Sequence, residues 1–398
     1  MDITIYPNKL KGKLAAIPSK SQAHRLLICA AFSDKPTVLK CPETNQDIEA
    51  TANCLRALGS TIHRTETGYE VQPISKVPQT AVLNCGESGS TLRFLLPIVC
   101  ALGVETTIHM FGRLPQRPLS PLWEELERMG CTLTRPTEST IHTSGKLRAG
   151  EYVIAGNISS QFITGLLFAL ALTDGKSKIA ITGKLESRPY VDMTKEVLAL
   201  FSVETEEFLI SGSFPFHSPG NVIVEGDWSN GAFFLIAAGL GNEITVENLS
   251  LTSSQGDRAA ADILATTEEN PTIGAADIPD LVPILAVYFA AKGGATFMDI
   301  ARLRLKESDR VKSVTELLHA LGIKSESDTN TMRVYGGNFT GGTVDACGDH
   351  RIAMAAGIAA TVASGPVTIL GAECVSKSYP TFWQEYTRLG GKYEQYIR

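Results

Sequence analysis

One kind of segment recurs six times along the chain: a polar start rich in serine, glycine or aspartate, followed at once by an apolar run. Serine and aspartate are preferred at helix starts, because their oxygens accept hydrogen bonds from the free N–H groups of the first turn. The apolar runs are hydrophobic nearly all round, which is typical of helices buried inside a domain. We therefore predict six buried helices, which start at residues 19–21, 87–91, 159–161, 227–229, 277–280 and 348–351.

The spacing of these starts predicts a repeated unit. Successive starts lie about 70 residues apart, except that the fourth and fifth lie only about 50 apart. Between them, strand-like runs such as Thr80 to Leu83 alternate with amphipathic stretches such as Arg310 to Leu321. Because 398 residues exceed what one core usually holds, we predict an α/β fold of six similar units, three in each of two domains.

The short fourth interval predicts a local loss of structure. Relative to the other units, about 20 residues are missing after Leu264. We expect a strand pair of the fourth unit to be absent, or to be replaced by the polar loop Thr266 to Pro271. The missing part lies away from the candidate site residues, so we expect activity to be retained.

Composition limits what the chain can bind. A net charge of −6 argues against a general nucleic-acid surface, so any cationic site must be local. The apolar runs, such as Gly165 to Leu172, are far shorter than the roughly 20 residues that a membrane span needs. The eight cysteines form neither a CxxC pair nor a His/Cys cluster, so we expect reduced thiols and no metal site. The N-terminal residues show no targeting pattern, and we expect a cytoplasmic protein.

Cations stand at several of the predicted helix starts, where the N–H groups and the helix dipole also favour anions. Lys20 and Arg25 lie within about one turn of the first start, and Arg93 lies about one turn beyond Gly89 at the second. Such residues could clamp a phosphate or a carboxylate. For the first segment alone, solvated charges on a capped helix are an equally good interpretation, and the repetition favours anion binding.

Two further segments suit an anion, although each is weak evidence by itself. Arg117 lies in a proline-bracketed basic loop, and Pro118 could begin the following helix. Ser159-Ser160-Gln161 offers two hydroxyls, an amide and helix N–H groups, which suit a phosphate that also pairs with a cation.

The run from Arg304 to Arg310 carries five charges in seven residues. A solvated charge run is the ordinary interpretation. A carboxylate among cations that also faces an anionic ligand can take up a proton, so Glu307 is a candidate general acid. Asp280, at the start of a buried helix, is the candidate base. His24 and His350 each precede an arginine at a helix start, and we expect both to be hydrogen-bonded wall residues.

In chain order, these motifs resemble the EPSP synthase family, the 3-phosphoshikimate 1-carboxyvinyltransferases, from end to end of the chain. The residues that carry the resemblance are Ser19-Lys20-Ser21 with His24-Arg25, Gly89 with Arg93, Arg117-Pro118, Ser159-Ser160-Gln161, Ser187 with Tyr190, Asp280, Arg304 with Lys306-Glu307-Ser308-Asp309-Arg310, Gly348-Asp349-His350-Arg351 and Ser376-Lys377. The resemblance implies two inside-out α/β barrels, residues 1–17 with 226–398 and residues 18–225, with the active site in the cleft between the domains.

The resemblance also implies a reaction. The enzyme would transfer the enolpyruvyl group of phosphoenolpyruvate to the 5-hydroxyl of shikimate 3-phosphate, through a tetrahedral intermediate and without a cofactor or a metal. It would act as a monomer on these two small molecules, with no nucleic-acid or membrane partner.

Roles for individual residues follow from the same resemblance. Those implied to hold shikimate 3-phosphate are Ser21, Arg25, Ser159, Ser160, Gln161, Ser187, Tyr190 and Asp280. Those implied to surround phosphoenolpyruvate are Lys20, Gly89, Arg93, Arg117, Lys306, Arg310, Arg351 and Lys377. Those implied in catalysis are Lys20, Asp280, Lys306 and Glu307.

Two alternatives stay open. UDP-N-acetylglucosamine enolpyruvyl transferases share the implied fold, but they typically carry a reactive cysteine in the loop that corresponds to Met110 to Leu122, which has none here. A non-catalytic anion-binding homologue is the second alternative, because the fourth unit is short. Glu87 is a departure from the family, which often has asparagine there, and its negative charge is expected to weaken phosphoenolpyruvate binding.

Overall fold

A helix follows each of the six predicted polar starts in the computed structural model of the protein, which describes residues 1–212 and 215–396. The six odd-numbered helices below are the apolar ones, and nearly all of their residues are buried. The α-helices are α1 (Lys20–Ala31), α2 (Gln46–Ala57), α3 (Gly89–Leu102), α4 (Leu122–Arg128), α5 (Ser160–Ala171), α6 (Arg188–Leu200), α7 (Trp228–Gly239), α8 (Ala259–Leu264), α9 (Val282–Ala290), α10 (Arg310–Ala320), α11 (His350–Ala359) and α12 (Phe382–Arg388).

Capping explains where five of the six apolar helices begin. In each of the five, the side chain of the residue before the helix accepts a hydrogen bond from a backbone N–H of the first turn. These caps are Ser19, Ser88, Ser159, Asp227 and Asp349.

Two predicted helix starts are wrong in detail. Helix α9 begins behind Leu281 without a side-chain cap, because the Asp280 carboxylate binds arginines instead. Pro118 does not begin a helix, since α4 starts at Leu122, after a cis bond between Ser120 and Pro121.

The strands are short, and their side chains alternate between buried and exposed, which is typical of a sheet with one face on a core. They are β1 (Asp2–Tyr6), β2 (Lys11–Ala15), β3 (Thr37–Lys40), β4 (Thr61–Thr65), β5 (Gly68–Gln72), β6 (Thr80–Asn84), β7 (Glu105–His109), β8 (Cys131–Thr137), β9 (Thr140–Gly145), β10 (Glu151–Ala155), β11 (Gly175–Thr182), β12 (Thr205–Glu206), β13 (Leu209–Gly212), β14 (Asn221–Ile223), β15 (Glu243–Glu247), β16 (Thr272–Gly274), β17 (Gly294–Met298), β18 (Ser325–Ser327), β19 (Thr331–Tyr335), β20 (Gly342–Asp345), β21 (Val367–Leu370) and β22 (Lys392–Tyr396).

The chain forms two compact units. The first unit is Met1–Ile17 with Gly226–Arg398, and the second unit is Pro18–Glu225. The second unit has three four-stranded sheets, in the orders β14-β3-β5-β4, β6-β7-β9-β8 and β10-β11-β13-β12. In each sheet a parallel pair is followed by an antiparallel hairpin. Helices α1, α3 and α5 lie in the core that the sheets cover, so the helices are inside and the sheets outside.

The first unit repeats this plan with one exception. Its sheets are β20-β21-β1-β22, β16-β17-β19-β18 and the two-stranded pair β15-β2. The last of these belongs to the fourth repeat, and within the described residues it lacks the two antiparallel strands that stand beside the parallel pair in each of the other five sheets. The predicted loss of a strand pair is therefore confirmed. Helices α7, α9 and α11 form the centre of this unit's core.

No helix in the described ranges combines the length and the apolar character that crossing a membrane requires.

Close packing between α3 and α5 leads to a first prediction. A Cβ added at Gly165 of α5 would lie 2.1 Å from the backbone oxygen of Arg93 and 2.8 Å from Pro97 Cγ. We expect Gly165→Ala to lower the free energy of unfolding by about 1–3 kcal/mol, because overpacking a filled core forces the backbone apart. Urea denaturation of the whole chain measures this change.

Gly274→Ala is the matched control, since nothing lies within 4 Å of a Cβ there. It should change the free energy of unfolding by no more than about 0.5 kcal/mol. Equal stability of the two variants would contradict the packing described for α3 and α5.

Candidate functional site

A buried cation with neutral partners lies near the start of α1. Arg25 is 2% exposed, and its guanidinium donates to Thr194 Oγ1 at 2.8 Å and to the backbone oxygens of Tyr190 and Ser21 at 2.8 and 2.6 Å. Burial lowers the pKa of Arg25 to about 10, so the side chain is still charged at neutral pH. In the part of the chain that the structure describes, no carboxylate pairs with it. A buried charge held only by neutral dipoles favours the binding of an anion.

Lys20 and His24 lie on the same first turns. Lys20 Nζ is 3.0 Å from Asp47 Oδ2, in a largely buried ion pair. His24 Nδ1 is 2.7 Å from Thr51 Oγ1, and burial lowers the pKa of His24 to about 3. His24 is therefore a neutral hydrogen-bonded wall residue, as the sequence predicts.

Two arginines lie side by side at the start of α3. A Cβ at Gly89 would come within 2.7 Å of Arg117 Nη1 and 2.8 Å of Arg93 Nη1, so the glycine is what lets both guanidinium groups lie against the helix start. Arg93 Nη1 donates to Gln161 Oε1 at 2.9 Å, and Gln161 Nε2 donates to Ser90 Oγ at 2.9 Å. These contacts join the first turns of α3 and α5 into one group of donors.

The remaining candidates of the second unit lie at helix starts. Ser159 Oγ accepts from the backbone N–H of Gln161 at 3.3 Å, and Ser160 is the first residue of α5. Ser187 is buried directly before α6, with a φ of 55°. Tyr190 in the first turn of α6 contributes its backbone oxygen to Arg25.

Glu87 lies against the basic loop. Its side chain fills the space beside Gly112, where a Cβ would overlap it, and it is otherwise exposed. The extra carboxylate of this chain therefore faces the backbone at the start of the segment that carries Arg117.

In the first unit, one arginine holds three carboxylates. Arg310 is 1% exposed, and it donates to Asp349 Oδ2 at 2.8 Å, to Asp280 Oδ1 at 2.5 Å and to Glu307 Oε2 at 2.7 Å. Burial alone would lower the pKa of Arg310, but the three carboxylates raise it well above its ordinary value. Glu307, the candidate acid, and Asp280, the candidate base, thus share one guanidinium.

Asp280 is also bound by two further cations. Arg351 Nη2 donates to its Oδ2 at 3.2 Å, and Lys306 Nζ lies 3.8 Å from its Oδ1. Burial raises the pKa of Asp280, but the cations outweigh that effect and hold the pKa well below its usual range. Burial lowers the pKa of Lys306 to about 8, although Asp280 opposes the change. Lys377 is buried at the end of the 3₁₀ helix Ala372–Lys377.

Sequence reasoning left out two partners of these clusters. Asp47 near the start of α2 and Asp349 before α11 both stand where an acidic residue ordinarily favours a helix N-terminus. Asp349 does cap α11, but it also accepts from Arg310 and from Ser308 Oγ, and it is 0% exposed. The only signal in the sequence was its place directly before His350-Arg351, and that signal does not separate a cap from an ion-pair partner.

Known proteins resemble this chain over its whole length. The profile of the family described as EPSP synthase (3-phosphoshikimate 1-carboxyvinyltransferase) matches residues 5–386. A protein named 3-phosphoshikimate 1-carboxyvinyltransferase from Clostridium kluyveri is 38% identical over 99% of this chain and 98% of its own length. One of the same name from Clostridium perfringens is 38% identical over 98% of both chains. The Clostridium kluyveri alignment spans 420 positions, more than the 398 residues here, so that relative has residues without a counterpart in this chain.

Solved structures share the fold. An EPSP synthase from Acinetobacter baumannii matches with a TM-score of 0.80 and 24% identity, over 99% of this chain and 100% of that chain. The enolpyruvyl transferase NikO from Streptomyces tendae matches with a TM-score of 0.78 and 18% identity, over 99% of this chain and 98% of that chain. These likenesses confirm the predicted fold class.

The ion pairs of Arg310 lead to a second prediction. We expect Asp349→Ala to lower the free energy of unfolding by about 3–5 kcal/mol, because the buried guanidinium of Arg310 loses one of its carboxylate partners. Asp309→Ala is the control, since Asp309 caps α10 at a half-exposed position, and losing a cap costs about 1 kcal/mol. Urea denaturation of both variants measures the difference. Similar losses would show that Asp349 acts only as a helix cap.

Proposed function

The chain belongs to the EPSP synthase family, and we propose that charged residues of each unit take part in that family's reaction. The enzyme transfers the enolpyruvyl group of phosphoenolpyruvate to the 5-hydroxyl of shikimate 3-phosphate and releases phosphate. One observation carries the assignment of roles. Glu307 and Asp280 both form ion pairs with Arg310, and Asp280 also contacts Lys306 and Arg351.

The first step needs a base at the 5-hydroxyl and an acid at the methylene carbon of phosphoenolpyruvate. The hydroxyl oxygen forms a bond to the enol carbon and loses its proton to Asp280, while the methylene carbon gains a proton from Glu307. When anionic phosphoenolpyruvate binds near Arg310 and Arg351, it offsets the charges that keep the pKa of Asp280 low. The carboxylate is therefore more basic with the substrate in place than without it.

The second step reverses the proton transfer at carbon. The bond between the former enol carbon and the phosphate oxygen breaks, and the methyl group returns a proton to Glu307, so that the vinyl group forms again. The proton that Asp280 took from the hydroxyl passes to the leaving phosphate, which restores the carboxylate. Lys306 and Lys20 stabilise the negative charges that move during these steps. Proton transfers by positioned side chains are worth roughly 10²–10⁴-fold in rate, which suits a reaction without a cofactor.

Both units supply substrate-binding residues in this proposal, and the buried Arg25 lies in the second unit. We assign the phosphate of shikimate 3-phosphate to the residues around Arg25, because an anion there would compensate a buried cation whose protein partners are neutral. The other residues assigned to this substrate are Ser21, Ser159, Ser160, Gln161, Ser187, Tyr190 and Asp280. Those assigned to phosphoenolpyruvate are Lys20, Gly89, Arg93, Arg117, Lys306, Arg310, Arg351 and Lys377.

We also propose that the chain works as a monomer in the cytoplasm, without a nucleic-acid or membrane partner. The net charge of −6 supports the first of these absences, because a general nucleic-acid surface is basic.

Phosphate release tests the function directly. The purified chain, mixed with shikimate 3-phosphate and phosphoenolpyruvate, should release phosphate only when both substrates are present. Tight binding of both without release would support a non-catalytic homologue, and release with UDP-N-acetylglucosamine in place of shikimate 3-phosphate would support the other enolpyruvyl transferase.

The roles of the two carboxylates give a third prediction. Glu307→Gln and Asp280→Asn should each lower kcat by roughly 10²–10⁴-fold, because each removes one proton-transfer group. Glu316→Gln is the control on the same helix as Arg310, since Glu316 is 56% exposed and pairs only at the surface with Lys312. It should keep the wild-type kcat, and near wild-type rates in the first two variants would overturn the assignment.

The packing at Gly89 gives a fourth prediction. Gly89→Ala should raise the KM for phosphoenolpyruvate by roughly tenfold or more, because the new methyl group displaces the guanidinium groups of Arg93 and Arg117. The KM for shikimate 3-phosphate should change little. Steady-state kinetics with each substrate varied in turn, and Gly274→Ala as the control, measure both constants, and an unchanged KM for phosphoenolpyruvate would count against this anion site.

A further inference from the structure

A carboxylate with no role in the proposed reaction, Asp257, is buried behind the charged cluster of the first unit. Asp257 lies in the 3₁₀ turn Gly256–Arg258 and is 0% exposed. The turn is held against the start of α7 by Gln255, whose Oε1 accepts from the backbone N–H of Trp228 at 3.0 Å and whose Nε2 donates to the backbone oxygen of Gly226 at 2.8 Å. These two hydrogen bonds of the Gln255 side chain therefore fix the position of the turn that carries Asp257.

Asp257 and Arg351 both form a hydrogen bond with Ser229. The hydroxyl of Ser229 donates to Asp257 Oδ2, while the backbone oxygen of Ser229 accepts from Arg351 Nη1 at 3.2 Å. The other arm of the same guanidinium, Nη2, donates to Asp280 Oδ2 at 3.2 Å. Arg351 thus lies between a carboxylate of the proposed reaction and one that has no part in it.

The charged groups around Asp257 come from three other elements. Asp227 caps α7, Asp280 precedes α9, and Arg351 lies in α11. Arg258 of the same turn and Asp262 of α8 are partly or largely exposed and pair with each other at 3.5 Å.

These surroundings make Asp257 a carboxylate that titrates close to neutral pH. Burial and the negative charge of Asp280 raise its pKa to about 6, although Arg351 and the Ser229 hydroxyl act in the opposite direction. Asp280 stays ionised because its own cations hold its pKa low. In this pair of carboxylates, Asp257 is the one that takes up a proton first as the pH falls.

We propose that Asp257 is a positioning residue that sets how strongly Arg351 binds phosphoenolpyruvate. Ionised Asp257 competes with the substrate for the charge of Arg351, and protonated Asp257 leaves that charge to the substrate. This inference rests on the proposed role of Arg351. Asp257 acts through Arg351 and does not itself contact a substrate.

The sign of the effect follows from the charges. Asp257→Asn keeps a group that can accept from Ser229 and is neutral at every pH, so it imitates the protonated carboxyl. Above pH 6 the variant should have a KM for phosphoenolpyruvate that is about threefold or more lower than that of the wild type. Its kcat should fall as well, because removing a neighbouring negative charge lowers the pKa of Asp280 and makes it a weaker base.

The decisive measurement is the ratio of the wild-type KM to the Asp257→Asn KM for phosphoenolpyruvate between pH 5 and pH 8. Ionisation of the substrate affects both enzymes equally and cancels in the ratio. We expect the ratio to be near one at pH 5 and to rise as the pH passes about 6. A ratio that does not change with pH would overturn the proposal, because a purely structural role of Asp257 has no such dependence.

Ser229→Ala provides a second test, which stands even if Asp257→Asn does not fold. Loss of the hydroxyl removes a hydrogen bond that favours ionised Asp257, so the pKa of Asp257 rises. The pH at which the KM for phosphoenolpyruvate changes should therefore be higher in Ser229→Ala than in the wild type. An unmoved profile would overturn the proposal. Arg351→Lys tests the role of Arg351 separately from that of Asp257. An unchanged KM for phosphoenolpyruvate in this variant would contradict the role of Arg351 itself. A raised KM, together with a ratio of wild-type to Asp257→Asn KM that does not change with pH, would contradict only the role of Asp257.

Discussion

The first unit depends on Arg310, a single buried guanidinium that binds Asp349, Asp280 and Glu307 at once. Each contact joins a different part of the unit to α10, because the three carboxylates precede α11, precede α9 and lie in the segment before α10 itself. One cation surrounded by three acids leaves net negative charge. Lys306 and Arg351 offset that charge through their own contacts with Asp280. The arrangement of the proposed catalytic residues and the local fold therefore depend on the same ion pairs.

The second unit uses the opposite arrangement. Arg25 is buried among hydroxyls and backbone oxygens, and two more arginines lie together beside a glycine at the start of α3. The partners of Arg25 are neutral, so its positive charge is not offset by them, and helix N-termini add to it. An acidic protein can thus hold strongly cationic sites, because the excess is confined to a few first turns and is balanced by exposed carboxylates elsewhere.

Much of this could be predicted from the sequence, since the signals are local. A capping residue followed by an apolar run places a helix without reference to the rest of the chain, and five of the six starts obey that rule. The exceptions are side chains whose partners are distant in sequence. Asp280 binds arginines 30 and 71 residues away instead of capping α9. Asp349 looks like a cap and is also an ion-pair partner, and no local pattern distinguishes these roles. The assignment of residues to each substrate came from family resemblance, because spacing alone identifies anion sites but not which anion they bind.

The two-stranded sheet β15-β2 shows which half of the repeat the protein can lose. The parallel pair and the apolar helix remain in every repeat, whereas the two antiparallel strands are missing from one of them in the described residues. None of the assigned site residues lies on β2, β15 or α8. The exposed polar segment from Thr266 to Asn270 is therefore a natural attachment point for protein engineering. A reporter peptide or an affinity tag placed there would extend an exposed loop of the shortened repeat, in a segment that carries none of the assigned site residues.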